Sequence, residues 1–281
     1  MLALFKGAGE FGSAAARRLY LMGFQVVMTE LPQPLCIRRK VSFAECVFTG
    51  ATEVDSIQAQ RATSLERVEE ILAQGMIAVI VDPDSTTGRH LQPTVVVDSR
   101  MLKEPTNSQL DQAPVVIGLG PGHIAGETVH AVIETNRGHN LGRVIYQGTA
   151  EPNTGVPAPV RGNTTARVLR APAAGPFEGI REIGDHVEVG EIVGSVASQP
   201  VIAQISGIVR GLLHSGVQVE SGTKLGDIDP RDVREFCLTI SDKANAIAGG
   251  VAEACFWLLR QLKTGPQIAQ INTEGMKIKS V

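Results

Sequence analysis

Three glycines near the amino terminus have the spacing of a phosphate-binding loop. Gly7, Gly9 and Gly12 follow a short apolar run and precede a helical pattern that continues to Met22. In such a loop the first glycine makes a tight turn, the second admits a pyrophosphate and the third lets the helix pack on the strand. The helix N-terminus then faces the anion. The spacing predicts a dinucleotide site; the alternative is a fold whose pocket is empty.

An acidic residue ends the next predicted strand. Glu30 stands 18 positions after Gly12, where a carboxylate accepts hydrogen bonds from a ribose diol. This position favours NAD over NADP, because a carboxylate repels the 2′-phosphate of NADP. Arg38 and Arg39 would reverse that preference if their segment folded back over the site. For this pair we favour a solvated basic turn.

A second glycine loop follows another predicted strand. Gly118, Gly120 and Gly122 precede a predicted helix that reaches about Thr135. This loop would hold a second phosphate or an anionic substrate at the helix N-terminus. A tight turn that needs glycine for its geometry alone explains the pattern equally well.

Two aspartates end β-branched runs. Asp82 follows residues 77–81 and Asp98 follows residues 94–97. Ligands of open α/β sheets bind at the carboxyl ends of the strands. We therefore expect both aspartates to face the crevice that the glycine loops border, with ordinary strand-to-loop polarity as the alternative.

Four polar residues share a helical spacing in the segment after the second loop. They are spaced four, three and four positions apart, which places them on one face of the predicted helix: His123, Glu127, His130 and Glu134. No second helix carries matching ligands, so we predict a solvated polar face and no metal site. His130 and His139 remain candidate catalytic proton carriers, because histidine titrates near neutral pH.

The second half of the chain contains an internal repeat. Residues 169–196 match residues 201–228 at a fixed offset of 32, and most of the identities are glycines. Glycines at fixed spacing mark tight turns, so the two halves are predicted to form a small pseudo-symmetric β-sandwich. A helix is predicted from Ser241 and Asp242 to about Lys263.

Alternating strands and helices in the first half predict a Rossmann-like, mostly parallel α/β sheet. The predicted units are a dinucleotide-binding domain (1–150), a Pro- and Gly-rich linker (151–164), a small all-β module (165–232) and a carboxyl-terminal helical segment (233–281) that packs back on the first domain.

Composition narrows the classes of function. The net charge is −3 and the pI is about 6.1, which argues against a nucleic-acid-binding protein. The most apolar segment, 244–259, is interrupted by polar residues and glycines, so no membrane association is expected. The amino terminus lacks the pattern of a signal peptide, and the four cysteines form no CxxC pair. We predict a cytoplasmic protein with reduced thiols.

The repeat resembles the barrel-sandwich hybrid of biotinyl and lipoyl domains. Those domains carry an acceptor lysine on the hairpin between the halves, which corresponds to residues 197–200 here. This hairpin reads Ala-Ser-Gln-Pro, and no lysine occurs between Lys103 and Lys224. Biotin and lipoate attachment are therefore excluded, and the module is expected to dock, bind or scaffold.

Taken whole, the chain resembles the YqeB family, which is linked to selenium-dependent molybdenum hydroxylase systems. The stretches that carry the resemblance are KGAGEFG, VVMTELPQP, IRRKVSFAECVF, VIGLGPGHIAGETVHAVIETNRGHNLGRVIYQGTAEPNTG, RVLRAP and SDKANAIAGGVAEA. The resemblance implies an accessory or maturation role for such a hydroxylase. The implied partner is the hydroxylase or its cofactor-insertion machinery.

Two cofactors fit this interpretation: NAD(P), or a molybdopterin dinucleotide. An NAD-dependent oxidoreductase with a small-molecule substrate is the first alternative, with His130 or His139 as its proton carrier. A non-catalytic scaffold with an empty Rossmann-like fold is the second. The sequence leaves catalysis and homo-oligomerisation open.

Overall fold

The computed structural model describes residues 1–102, 104, 106–153, 155 and 159–264. A nine-stranded sheet, ordered β3-β4-β5-β2-β1-β6-β7-β8-β9, occupies the first half of the chain. Its strands are β1 (Leu2–Lys6), β2 (Gln25–Glu30), β3 (Ala51–Val54), β4 (Ile57–Ala62), β5 (Ile77–Val81), β6 (Val95–Asp98), β7 (Val115–Leu119), β8 (Ala131–Ile133) and β9 (Val144–Ile145). Pairing is parallel from β4 to β8 along this order and antiparallel at both edges. The predicted mostly parallel sheet is confirmed.

Helices cover both faces of the sheet. They are α1 (Glu10–Leu21), α2 (Cys46–Thr49), α3 (Leu65–Ala73), α4 (Thr87–Leu91) and α5 (Asp242–Thr264). Phe5 and Met28 face the layer of α1 and α5, whereas Leu4 and Val27 face the layer that contains α3. Burial on both faces explains why the central strands are continuous apolar runs. Among the described residues no helix is long and apolar enough to cross a membrane.

Two helices begin at a serine cap, and the cap at Ser241 confirms the predicted start of the carboxyl-terminal helix. The Ser64 hydroxyl accepts the N–H of Arg67, and α3 begins at the next residue. The Ser241 hydroxyl accepts the N–H of Ala244 at 3.2 Å and donates to the Glu10 carboxylate at 2.8 Å. Because this bond joins the first turns of α1 and α5, the two helices start at the same end of the sheet.

The predicted helix after the second glycine loop is wrong. Residues 120–130 form turns and isolated bridges before β8 begins. Gly126 has a φ of +88°, which no helix allows, and the Thr128 hydroxyl accepts the N–H of Ile124. The polar quartet of His123, Glu127, His130 and Glu134 therefore shares no helix face, and its predicted solvated face is wrong as well, since His123 and Glu134 are buried.

One hairpin was not predicted from the sequence. Strands β3 and β4 pair antiparallel through a turn at Asp55 and Ser56, which have φ values of +43° and +67°. Two consecutive positive φ values are typical of the tight turn that suits twisted strands. The strand sequences, ATEV and IQAQRA, lack a regular alternation of apolar residues, which is why the pattern gave no signal.

Substitution by alanine is expected to change stability in opposite directions at two adjacent glycines of α5, Gly249 and Gly250. A Cβ at Gly250 would lie 2.2 Å from the carbonyl oxygen of Gly142 and 2.9 Å from Ile133, so Gly250→Ala should lower the free energy of unfolding by about 1–3 kcal/mol. A Cβ at Gly249 would meet only the mobile end of Arg18, at 3.2 Å. Gly249→Ala should therefore raise stability by up to about 1 kcal/mol through helix propensity. Urea denaturation measures both; equal effects would contradict this packing.

The repeat region folds into two four-stranded antiparallel sheets. Their orders are β10-β17-β15-β12 and β14-β13-β11-β16. The strands are β10 (Val168–Arg170), β11 (Gly175–Gly179), β12 (His186–Val187), β13 (Ile192–Val196), β14 (Gln199–Ile202), β15 (Gly207–Leu212), β16 (Gln218–Val219) and β17 (Lys224–Asp229). Gly175 pairs with Val219, and Gly207 pairs with Val187. The offset of 32 exchanges these two pairs, so the sheets are related as the repeat predicts.

The domain boundaries remain predictions. Within the predicted linker, Thr154, Val156, Pro157 and Ala158 lie outside the described residues, and Val160 forms a bridge with Asn163. Residues 265–281 of the predicted carboxyl-terminal segment also lie outside them.

Candidate functional site

A crevice of about 510 Å³ lies at the carboxyl ends of β1, β2, β5 and β6. Gly7 and Gly9 border it on one side, Glu30 and Asp82 on another, and Arg100 on a third. In open parallel sheets this edge is where ligands bind.

Each glycine of the first loop has a separate geometric role. Gly7 has a φ of +92°, and its N–H donates to the carbonyl of Thr29. A Cβ at Gly12 would lie 2.5 Å from the hydroxyl oxygen of Ser99, so only glycine lets α1 approach β6 there. A Cβ at Gly9 would meet nothing within 4 Å. Gly9 is thus the position at which a ligand, rather than protein, has room to approach.

The first turn of α1 points its N–H groups toward the same space. Gly9 is the N-cap residue in an extended conformation and provides no side-chain cap. Glu10, in the first turn, accepts a hydrogen bond from Ser241 and lies 3.9 Å from a guanidinium nitrogen of Arg38. Because these partners offset the charge of Glu10, the positive end of the helix dipole stays available to an anion.

Glu30 is fixed against the glycine loop. One carboxylate oxygen accepts the N–H of Ala8 at 2.7 Å, and the other accepts the N–H of Leu31 at 2.8 Å. Burial raises the pKa of Glu30, although both backbone hydrogen bonds oppose that shift. Each carboxylate oxygen has a further lone pair, so Glu30 retains acceptors for a ribose hydroxyl.

The prediction of a solvated basic turn at Arg38 and Arg39 is wrong. Arg38 is only 6% exposed; it lines the crevice and donates to the carbonyl of Phe236 at 3.0 Å. Arg39 pairs with Glu45 at 3.0 Å and donates to the carbonyl of Leu212 at 2.8 Å. Arg39 therefore fastens the segment that forms one wall of the crevice to the repeat region, and Arg38 fastens it to the chain that follows β17.

Asp82 lines the crevice, but its carboxylate already has partners. It accepts the N–H of Thr87 at 2.7 Å and the hydroxyl of Thr86 at 3.2 Å, at the start of α4. Burial alone would raise the pKa of Asp82; the hydrogen bonds from Thr87 and Thr86 outweigh it and hold the pKa below its usual value. Asp82 borders the site and holds α4 in place.

Asp98 is fully buried and does not line the crevice, so the prediction that it faces a ligand is wrong. Its carboxylate accepts two side-chain hydrogen bonds from Arg100, at 2.9 and 2.6 Å, and one from the hydroxyl of Ser108 at 2.7 Å. Burial would raise the pKa of Asp98, but the hydrogen bonds and charge of Arg100 hold it below its usual value. The Asp98 carboxylate thus binds the side chain of Arg100, two residues along the chain, and does not line the crevice.

Arg100 borders the crevice, although the sequence patterns assign no binding role to it. Its backbone and Cγ lie 3.2 to 3.3 Å from where a Cβ of Gly7 would be, and its side chain borders the crevice. Besides Asp98, its guanidinium donates to Asn107 at 2.7 Å, and its Nη1 has no acceptor among the described residues. The sequence feature that could have identified this pair is the spacing of two residues between Asp98 and Arg100 at a strand end, which favours a bidentate carboxylate–guanidinium pair.

The glycines of the second loop pack against protein atoms instead of opening toward a ligand. A Cβ at Gly118 would lie 2.3 Å from the ring of His123, and one at Gly122 would lie 2.7 Å from the carbonyl oxygen of Leu102. Gly120 has a φ of +78°, which the turn requires. No helix N-terminus follows, and none of the three glycines lines the crevice. The second-phosphate interpretation loses its physical basis.

The two candidate proton carriers lie away from the crevice. His130 precedes β8 at the amino end of the sheet, and its Nδ1 accepts the N–H of Val116 at 3.0 Å. Burial lowers the pKa of His130. His139 is exposed on the loop that follows β8, and neither ring borders the crevice.

No protein-family model matches the chain. Over 260 residues it is 45% identical to the protein YqeB of Escherichia coli K12. The chain belongs to the YqeB family. The match covers 92% of this chain and 48% of YqeB, so the chain spans about half the length of the curated relative it matches.

Solved structures show only weak similarity to this member of the YqeB family. An aspartoacylase family protein from Mesorhizobium loti is 16% identical with a TM-score of 0.26, covering 81% of this chain and 84% of that one. The ectoine utilization protein EutE from Ruegeria pomeroyi is 11% identical with a TM-score of 0.25, covering 80% and 85%. Scores this low carry no argument about fold or activity.

One cysteine borders the crevice of this YqeB-family chain. Cys36 lines it, but burial raises the pKa of the thiol to about 11, so the thiol stays protonated at neutral pH. All four cysteines are free. Among the described residues, no three His, Cys, Asp or Glu side chains meet as metal ligands would.

Proposed function

We propose that the chain binds a dinucleotide in the crevice at the carboxyl ends of β1, β2, β5 and β6. The observation that carries this proposal is the open space at Gly9, beside two glycines whose own space is filled by protein. A loop that needed glycine for packing alone would have no such opening. The first turn of α1 and Gly9 would hold the phosphates, and Glu30 would accept a ribose hydroxyl.

Sheet topology supports a Rossmann-like interpretation. The chain places β2 to β5 on one side of β1, then crosses to the other side of β1 with β6 and β7. The strand order thus reverses beside β1, directly under the glycine loop. Such reversal points are where doubly wound sheets bind nucleotides.

Within this proposal the ligand is NAD or a molybdopterin dinucleotide. Glu30 would repel a 2′-phosphate, and Arg38, whose guanidinium is directed to Phe236 and Glu10, is not free to attract one. The resemblance to the YqeB family extends the proposal to an accessory role in maturing a selenium-dependent molybdenum hydroxylase. The oxidoreductase alternative has no supporting observation, since neither candidate histidine borders the crevice.

Isothermal calorimetry with NAD, NADP, CTP and molybdopterin cytosine dinucleotide tests the proposal. We expect saturable binding of at least one dinucleotide, with NADP weaker than NAD. Folded protein that binds none of the four would leave the scaffold alternative in place.

The pH dependence of binding should report on Glu30. Because burial raises the pKa of this carboxyl, acidification should protonate it at a higher pH than an ordinary glutamate and remove the charged acceptor for ribose. Affinity for NAD should therefore fall on mild acidification. The Glu30→Gln variant should bind more weakly and lose this dependence, while the exposed control Glu53→Gln should keep it. Identical pH profiles for both variants would contradict the assignment.

A further inference from the structure

A second cavity, which we call the lysine groove, lies on the face of the nine-stranded sheet opposite to α1 and α5. It has a volume of about 1070 Å³ and runs over β1 and β6, between α4 and residues 107–114. Leu4 and Val96 form its apolar floor. Gly88 brings α4 close to that floor, because a Cβ there would lie 2.7 Å from Leu4. The dinucleotide proposal assigns no role to this cavity.

Lys6, the last residue of β1, lines the groove and is only 3% exposed. Its ammonium donates to the side-chain oxygen of Gln112 at 2.8 Å and to the hydroxyl of Ser108 at 3.3 Å. An ammonium has three N–H donors, and among the described residues no acceptor takes the third. No described carboxylate lies within 4.0 Å of Lys6, which is unusual for a buried lysine.

The charges around Lys6 do not balance. Lys6 and Arg100 flank a single buried carboxylate, Asp98, whose oxygens are occupied by Arg100 and Ser108. Burial lowers the pKa of Lys6, the charge of Asp98 opposes that shift, and the charge of Arg100 adds to it.

The charged residues at the rim of the groove do not offset the excess positive charge around Lys6. Asp84, Asp111 and Arg89 line it, but all three are solvent-exposed. Water and salt screen exposed charges, whereas the field of a buried ammonium persists across a cavity. An anion in the groove would therefore be attracted mainly by Lys6.

We propose that the lysine groove binds a small organic or inorganic anion, whose carboxylate or phosphate group accepts the third N–H of Lys6. The side chains of Gln112 and Asn107 offer neutral hydrogen bonds beside it, and the floor accommodates an apolar portion. This site is separate from the dinucleotide crevice. The two cavities share Ser85, which contacts the hydroxyl of Thr29 at 2.9 Å.

Calorimetric titrations with succinate, citrate and inorganic phosphate at constant ionic strength test this proposal and separate the two anion classes. We expect at least one to bind, and Lys6→Met to weaken it by about 10- to 100-fold, since a charge-assisted hydrogen bond is lost. Lys40→Met removes an exposed lysine and serves as the matched control, with unchanged affinity. The absence of binding, or equal binding by Lys6→Met, would overturn the proposal.

A measurement on the unaltered protein covers the case in which Lys6→Met fails to fold. Pulse acetylation followed by mass spectrometry compares the labelling rates of Lys6 and Lys40. At ten times its dissociation constant, the bound anion should slow labelling of Lys6 by about tenfold and leave Lys40 unaffected. Labelling of Lys6 that ignores a saturating anion would place the anion elsewhere.

Discussion

Replacing Gly9 with aspartate is expected to abolish dinucleotide binding while leaving the protein folded. The aspartate side chain would occupy the open space beside the first turn of α1 and place a negative charge where the phosphates bind. Repulsion between like charges at such short range corresponds to an affinity loss of about 100-fold or more. Calorimetry with the dinucleotide that binds the wild-type protein measures this loss.

Folding should be almost unaffected by this substitution, for a local reason. Gly9 is the N-cap of α1 with φ −69° and ψ 179°, a conformation open to every residue, and aspartate is a preferred N-cap. The free energy of unfolding should change by only about a few tenths of a kcal/mol. Gly12→Ala is the contrasting variant: its Cβ would lie 2.5 Å from Ser99, which should cost about 1–3 kcal/mol of stability. A Gly9→Asp protein that binds as the wild type does would refute the loop assignment.

Asp98→Asn is expected to be the most destabilising of the substitutions considered. The amide would place an N–H₂ group against the donors of Arg100 and Ser108 and leave the Arg100 cation without its counter-charge. Breaking a buried pair of this kind costs about 3–5 kcal/mol, and partial exposure of Arg100 at the crevice favours the lower end. Urea denaturation at neutral pH measures the loss. Asp111→Asn, at an exposed aspartate, should change stability by less than about 0.5 kcal/mol.

Acid should narrow the difference between the wild type and Asp98→Asn. The pKa of Asp98 is lower in the folded state than in the unfolded chain, so its contribution is present above the unfolded pKa. That contribution disappears as the pH falls through the folded pKa. A difference in stability that stays constant with falling pH would show that the effect comes from shape and not from charge.

The turn at Gly7 and the close packing at Gly12 were predictable because spacing along a strand, loop and helix fixes geometry. The second loop shows the limit of that inference. A glycine in such a loop indicates that another group approaches the backbone closely. The sequence does not show whether that group is a bound phosphate or a protein side chain such as the ring of His123. The spacing of the residues after Gly122 suited a helix. The turn at Gly126, which has a positive φ, is incompatible with that helix.

Burial of Arg38 lay beyond prediction for a different reason. Its acceptor, the carbonyl of Phe236, is 198 residues away along the chain, and its ionic neighbour Glu10 belongs to α1. Local composition around Arg38 is polar and contains prolines, which is typical of an exposed turn. Only the tertiary packing shows that this segment forms a wall of the crevice.

The two copies of the internal repeat have different surroundings in the fold. In the second copy, the N–H of Leu212 bonds the carbonyl of Ile37 and the side chain is 1% exposed. Its counterpart in the first copy, Ile180, bonds Val193 within its own sheet and is 64% exposed. The same position of the repeat is therefore exposed to solvent in one copy and bound to the crevice wall in the other, so the two copies present different surfaces to the rest of the molecule.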